Sequence, residues 1–393
     1  MIVRLAALIC ALWAGSALGQ EIRKMTLDRA EGSVRIATFN ASLNRRNPGE
    51  LVQDLRLGKK AKTVDQIDAV AEIIQLVRPD IILINELDSD PDGIAATLFR
   101  DRLATGTNDA EGIAYPHVFT APSNTGIASG HDLDGDGRQS GPKDAFGFGY
   151  FEGQYGMAIL SRFPIDESAV RTFQRLLWAD MPGNLIPPDF YKPEAAAALR
   201  LSSKSHWDVP VTLPGGRQLH LLASHPTPPV FDGPEDANGR RNHDEIRFWA
   251  DYIQGQDWVI DDAGTRGGLA SDAAFAVLGD LNADPSDGAA LRGALLSLLG
   301  LVQDTRPTSP GATAAAGEGA NTRHRGNAAE DTADWRDIPG PGNLRVDYVL
   351  PSRGLNVSGS GVFWPAPDDP LARLVTGKKP VSSDHRLVWV DIR

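Results

Sequence analysis

Cysteine is almost missing. The one residue of its kind among 393, Cys10, lies in the N-terminal stretch "MIVRLAALICALWAGSALGQ". Disulfide bracing and thiol catalysis are therefore excluded for the rest of the chain, which must hold itself together by its core. Long apolar runs are missing too. Beyond the N-terminus there is no run of roughly 18 apolar residues, so no membrane span is read in the body of the chain. Positive charge is in deficit, with 39 Lys and Arg against 51 Asp and Glu and a net charge of -12. Such a field repels polyanions and weakens any sequence-independent grip on DNA. Metal ions and a few local arginines can still reverse its sign inside one cleft. No Cys or multi-His cluster argues for zinc.

The N-terminal stretch carries one basic residue, Arg4, then an apolar segment, then small residues at Ala17 and Gly19 where a signal peptidase reads. Residues 1–19 are read as a cleaved export signal rather than a short membrane anchor, which places the mature protein in the periplasm or outside the cell. Residues 20–393 are expected to form a single domain.

Along the body, strands alternate with helices. "VDQIDAVAEIIQLVRPD" has Ile67, Val70, Ile73, Ile74 and Val77 at helical spacing before Pro79. "NHDEIRFWADYIQ" reads as another helix. "SVRIATFNA", "DIILINELD", "GMAILS", "QLHLLASH", "FAVLGDLN", "LRVDYVLPS" and "HRLVWVDI" read as strands. The class is α/β. Three stretches, residues 104–150, 178–210 and 305–343, read as long loops, a length usually tied to function.

The strand ends share a feature. Asn40, Glu86, His225, Asp280 with Asn282, Asp347, and the pair Asp384 and His385 each lie beside an apolar run. One such ending, as in "FAVLGDLNADPSDG", is an ordinary turn. Six spread over the chain imply convergence, because polar groups this close to a core are costly unless paired, and several together mark a cleft or a metal.

In this order and with these flanking strands, Asn40, Glu86, His225, "GDLNADP", "RVDYVLPS" and "SSDHRLVWVDI" resemble the endonuclease/exonuclease/phosphatase superfamily, which includes deoxyribonucleases, abasic-site endonucleases, sphingomyelinases and inositol polyphosphate phosphatases. The resemblance runs from about residue 33 to the C-terminus. It implies a four-layer sandwich of two packed mixed β-sheets flanked by helices, with the site where strand ends meet. It also implies a metal held by Asn40, Glu86 and Asp384, Asp280 and Asn282 orienting water and phosphate, and Asp347 orienting His385. His225 is expected as general acid. His385 is expected as the base or as a donor to the phosphoryl group, with Asp280 as rival base.

The residue types suit this chemistry independently, since phosphoester hydrolysis needs charge neutralisation, a positioned water and a proton for the leaving oxygen. Glu86 is a hard oxygen ligand suited to Mg²⁺ or Mn²⁺. The expected protein is a metal-dependent phosphoesterase, nuclease-like and acting on diesters. The alternatives are a lipid head-group phosphodiesterase, a phosphomonoesterase, and a non-catalytic binding module on the same fold. The substrate is a nucleic acid, a lipid head group or a small organophosphate, and no obligate protein partner is inferred.

Two features stand apart. Arg240 and Arg241 precede a helix and are read either as a grip on a substrate phosphate or as surface charge. "GHDLDGDGRQSG" supplies Asp132, Asp134 and Asp136, the first half of an EF-hand-like calcium loop, but Lys143 stands where the bidentate Glu belongs and only Asp144 offers a late ligand. Structural Ca²⁺ and a solvated Asp/Gly turn both stay open. Trp178, Phe190, Tyr191 and Trp207 are read as substrate contacts or core.

Overall fold

In a computed structural model of the chain, residues 27–376 and 381–393 are described. The export signal expected over residues 1–19 lies outside them. The strands are β1 (Val34–Leu43), β2 (Ile81–Leu87), β3 (His117–Phe119), β4 (Met157–Ser161), β5 (Arg171–Thr172), β6 (His206–Thr212), β7 (Gln218–Ser224), β8 (Phe275–Asp280), β9 (Ala333–Asp334), β10 (Asn343–Leu344), β11 (Asp347–Pro351), β12 (Val357–Val362) and β13 (Val388–Ile392). The helices are α1 (Glu50–Leu57), α2 (Val64–Val77), α3 (Ile94–Ala104), α4 (Pro193–Ala198), α5 (Ala237–Ile253), α6 (Gly293–Leu299) and α7 (Pro310–Ala315).

Two mixed sheets result. The first runs β12-β13-β1-β2-β4-β3 and the second β11-β8-β7-β6-β5. Each contains one parallel pair, β1 with β2 and β7 with β8, among antiparallel neighbours. Period-2 alternation sorts their side chains. In β8, Ala276 and Leu278 enter the core between the sheets with Phe39 and Ile84, while Val277 faces the other way and packs with Ile246 and Trp249 of α5 and Leu295 of α6. On the first sheet's far side, Ile67, Val70, Ile73 and Ile74 of α2 supply the apolar stripe that the sequence spacing predicts. Helix, sheet, sheet and helix make the four layers.

The loop expected over 178–210 turns out to hold α4 and most of β6. β6 carries Pro210, and a proline within a run reads against a strand, yet it pairs with β7 along its whole length. Trp178 and Trp207 are fully buried, so they belong to the core, whereas Phe190 is 41% exposed and stacks edge-on with Tyr191.

Candidate active site

At one end of the sandwich the two sheets are stitched together by Asn85. Its Oδ1 accepts from Thr38 Oγ1 and from the Asp280 backbone N–H, each at 3.3 Å. Gly279 makes the close approach possible: its φ is +146°, and a Cβ there would lie 2.0 Å from the Ser224 carbonyl oxygen. That seats Asp280 beside the end of β7, next to His225. On the first sheet the β1–β2 register shifts after Asn40, with Ser42 and Glu86 both at positive φ. Bulges re-aim side chains, and non-glycine residues in this conformation cluster at functional sites. Asn282 shares the strain at φ +51°.

The structure brings the strand-end residues onto one carboxylate oxygen. Oδ2 of Asp280 accepts from Asn40 Nδ2 at 3.0 Å and lies 3.4 Å from His225 Nε2 and 3.7 Å from His385 Nε2. Asn40 Nδ2 also donates to Glu86 Oε1 at 3.1 Å. The other oxygen of Asp280 accepts the Asn282 N–H at 2.9 Å, and Asn282 Nδ2 donates to the Pro226 carbonyl at 3.1 Å. Asp347 is the cross-strand neighbour of Asp280. Its Oδ2 meets His385 Nδ1 at 2.9 Å and accepts from Thr332 Oγ1 at 2.8 Å. His385 is thus wedged between two carboxylates. Arg345, two residues before Asp347, pairs with Asp304 and Glu330 and leaves Asp347 to His385.

Burial and charge set the protonation states. Burial pulls the His385 imidazole down, but Asp347 and Asp280 outweigh it and raise its pKa well above the usual value. Burial pushes Asp347 up to about 6 against the pull of His385. It pushes Asp280 the same way, yet the charges of both histidines and the hydrogen bonds from His225 and Asn40 win and hold its pKa below the usual carboxylate value. His225 is lowered, first by burial and then by the charge of Lys204, with Asp280 opposing. In the free protein His385 is thus biased towards its charged form and His225 towards its neutral form, on either side of Asp280.

The donor set fits a hard divalent cation at Glu86. Its Oε1 accepts from Asn40, while Oε2 takes no hydrogen bond from the protein. Asp280, Asp347 and His385 also bring one ligand atom each within 4.8 Å of one another. That trio includes an imidazole nitrogen, whereas Mg²⁺ prefers oxygen ligands and one or two carboxylates, so Glu86 with Asn40 is the better oxygen site for it. Asp384 is committed to neutral donors, accepting from Ser42 Oγ at 3.2 Å and Trp335 Nε1 at 3.1 Å.

Elsewhere, Arg241 spends Nε and Nη2 on the carbonyls of Leu201, Phe146 and Arg200, and Arg240 Nε donates to the Glu235 carbonyl. Both act as loop struts. Asp132, Asp134 and Asp136 come within 4.8 Å of one another. All three accept backbone N–H groups of their own loop, and Asp144 accepts the Leu133 N–H.

The sequence reading missed several supporting residues. Thr332 holds Asp347, and the Trp335 ring stands edge-on to His385 at 5.3 Å. On α5, Glu245 accepts from Ser203 N at 2.6 Å, Ser203 Oγ at 2.9 Å and Thr227 N at 2.6 Å. Asn242 donates to the carbonyls of Thr227 and Leu281. One helix thereby fixes the loops that carry His225 and Asn282. A signal existed in the buried-face positions of this helix, where Asn242 and Glu245 break the apolar stripe.

A model of the Endonuclease/Exonuclease/phosphatase family matches residues 37–385. No curated protein matches the sequence. Among solved structures, an endonuclease/exonuclease/phosphatase from Beutenbergia cavernae superposes with a TM-score of 0.50 at 17% identity, covering 92% of this chain and 71% of its own. An endonuclease/exonuclease/phosphatase family protein from Leptotrichia buccalis gives 0.47 at 15% identity, covering 92% and 99%. Sphingomyelinase C from Streptomyces griseocarneus gives 0.43 at 14%, covering 92% and 99%.

Proposed function

The chain belongs to the endonuclease/exonuclease/phosphatase family, and from that premise we propose that it is an exported, divalent-metal-dependent phosphoesterase that hydrolyses phosphodiesters by direct attack of water. The observation that carries this reading is the meeting of Asn40, His225 and His385 on Oδ2 of Asp280 beside Glu86. A carboxylate that poises two imidazoles in opposite protonation states is suited to moving a proton across a phosphoryl centre.

Glu86 and Asn40, with Asp384, would hold Mg²⁺ or Mn²⁺, which would supply charge neutralisation on the phosphoryl oxygens. Asp280 and Asn282 orient the attacking water, and Asp280, ionised in the free protein, accepts its proton. His385, held cationic by Asp347, stabilises the developing negative charge. His225 protonates the leaving oxygen. It is neutral in the free protein, and an anionic phosphoester beside it favours its charged form, so substrate binding is accompanied by proton uptake.

Residues 20–393 act as one domain in this account, and a Ca²⁺-dependent rise in melting temperature would distinguish a structural calcium site at Asp132, Asp134 and Asp136 from a solvated Asp/Gly turn. Hydrolysis of bis-para-nitrophenyl phosphate, supercoiled plasmid, single-stranded RNA and sphingomyelin, with and without Mg²⁺, tests the function and ranks the substrates. Turnover of none of them would end the reading.

A further inference from the structure

One buried charge remains without a partner. Lys204 is 7% exposed and is the one buried lysine among the described residues. Its ammonium makes no hydrogen bond and no ion pair with any residue. The residue is largely buried while its ammonium is not closed off from solvent, so the charge is held in place without a fixed partner and stays reachable by an anion.

Its surroundings say where that anion arrives. β6 and β7 pair antiparallel, with His206 opposite Ser224. Beyond that pair, Ser203 and Thr227 both donate to the Glu245 carboxylate, so Lys204 and His225 lie on two segments held together on either side. The charges of Glu86 and Asp280 act on Lys204, whose own charge depresses His225. The lysine thus stands at the catalytic cluster, on the side of His225.

The segment is also built to hold still. The Asn124 N–H donates to the Lys204 carbonyl at 2.8 Å. Gly147 packs so closely that a Cβ on it would lie 1.7 Å from the Ser203 carbonyl oxygen. Glu245 binds Ser203 from the helix side, and the same carboxylate binds Thr227 two residues beyond His225. His206, in turn, is fixed between Ser202 Oγ and the Glu245 carbonyl. So the backbone on either side of Lys204 is clamped while its side chain is left unengaged.

Resting on the phosphoesterase reading above, we infer that Lys204 is a further catalytic residue whose ammonium contacts a non-bridging oxygen of the substrate's phosphoryl group. It acts as a fixed donor and positive charge, and no proton leaves it during the reaction. Together with the cation at Glu86 and the imidazolium of His385 it gives an acidic protein a locally positive floor for an anionic group, which the net charge of -12 otherwise opposes. Burial lowers its pKa while Glu245, Glu86 and Asp280 oppose that fall. An arriving phosphoryl anion favours the ammonium further.

The test compares wild type, Lys204→Met and Lys204→Arg in Mg²⁺ buffer. Three quantities are read: kcat and KM on bis-para-nitrophenyl phosphate, inhibition by inorganic phosphate, and melting temperature with and without inorganic phosphate. The Met variant should lose about 10²- to 10³-fold in kcat, the usual result of removing one charge-stabilising donor. It should melt no lower than wild type without phosphate, because an unpaired buried charge has been removed, and should lose the phosphate-induced rise. The Arg variant should recover part of both. A Met variant with wild-type kcat and an intact phosphate response would overturn the inference, as would a Met variant that melts lower and whose rate falls only with its folded fraction. The phosphate response needs no turnover. If wild type hydrolyses no phosphoester, the functional reading fails, while a phosphate response lost in the Met variant still supports Lys204 as an anion contact. Absence of that response in wild type would overturn it.

Discussion

Nδ1 of His385 lies 2.9 Å from Oδ2 of Asp347, in a contact buried between the ends of the two sheets. The carboxylate fixes the ring and, with Asp280, keeps it charged. Replacing Asp347 by Asn should lower kcat by about 10- to 100-fold, the range for losing a group behind an active-site histidine.

The same pair gives a pH signature. A histidine whose folded pKa is raised contributes stability that is fully present below its unfolded value, about 6.5, and is lost as pH rises through the folded pKa. The stability gap between wild type and Asp347→Asn, measured by urea denaturation, should therefore be widest on the acid side of pH 6.5 and narrow towards alkaline pH. A gap that grows with pH would place the neutral imidazole in the folded state.

The two histidines should part company on leaving groups. His225→Ala and His385→Ala are each expected to lower kcat by about 10² to 10⁴ on a substrate with an alkoxide leaving group, with little change in KM. A para-nitrophenolate leaving group needs no proton, so it should restore much of the His225→Ala loss and little of the His385→Ala loss. Equal restoration in steady-state assays would reverse the roles assigned.

Much of this site was readable from residue order because its members end apolar strands, where a polar residue is conspicuous. Glu86 after "DIILIN" and Asp280 after "FAVLG" are examples. The helix pattern of α2 was as plain. Lys204 was not readable, since "LSSKSHW" carries no periodicity and its burial follows from clamps supplied by Asn124, Gly147 and Glu245, all distant in sequence. The Arg240 and Arg241 pair, expected ahead of a helix, lies in the first turns of α5, where the sequence could not show which carbonyls the two side chains brace. Asp132, Asp134 and Asp136 came together as their spacing implied, but the spacing alone could not tell a metal loop from one closed by its own N–H groups.

Glu245 is a positioning residue whose loss should be felt twice. It accepts three hydrogen bonds from the loops around His225 and Lys204 while 1% exposed. Glu245→Gln turns an amide NH₂ towards donors, leaving buried groups unsatisfied at about 1 to 3 kcal/mol. Denaturation should show that loss, and kcat should fall more than KM rises. Wild-type stability in this variant would remove the clamp from the account.

The metal is the centre of the account, and the most direct measurement is hydrolysis of bis-para-nitrophenyl phosphate by wild type and Glu86→Gln during a Mg²⁺ titration from EDTA-treated protein. The account predicts no turnover in EDTA, full recovery for wild type as Mg²⁺ is restored, and a Glu86→Gln curve shifted to about 10- to 100-fold higher Mg²⁺ with an unchanged circular dichroism spectrum. Full turnover in EDTA, or superimposable Mg²⁺ curves for the two proteins, would contradict it.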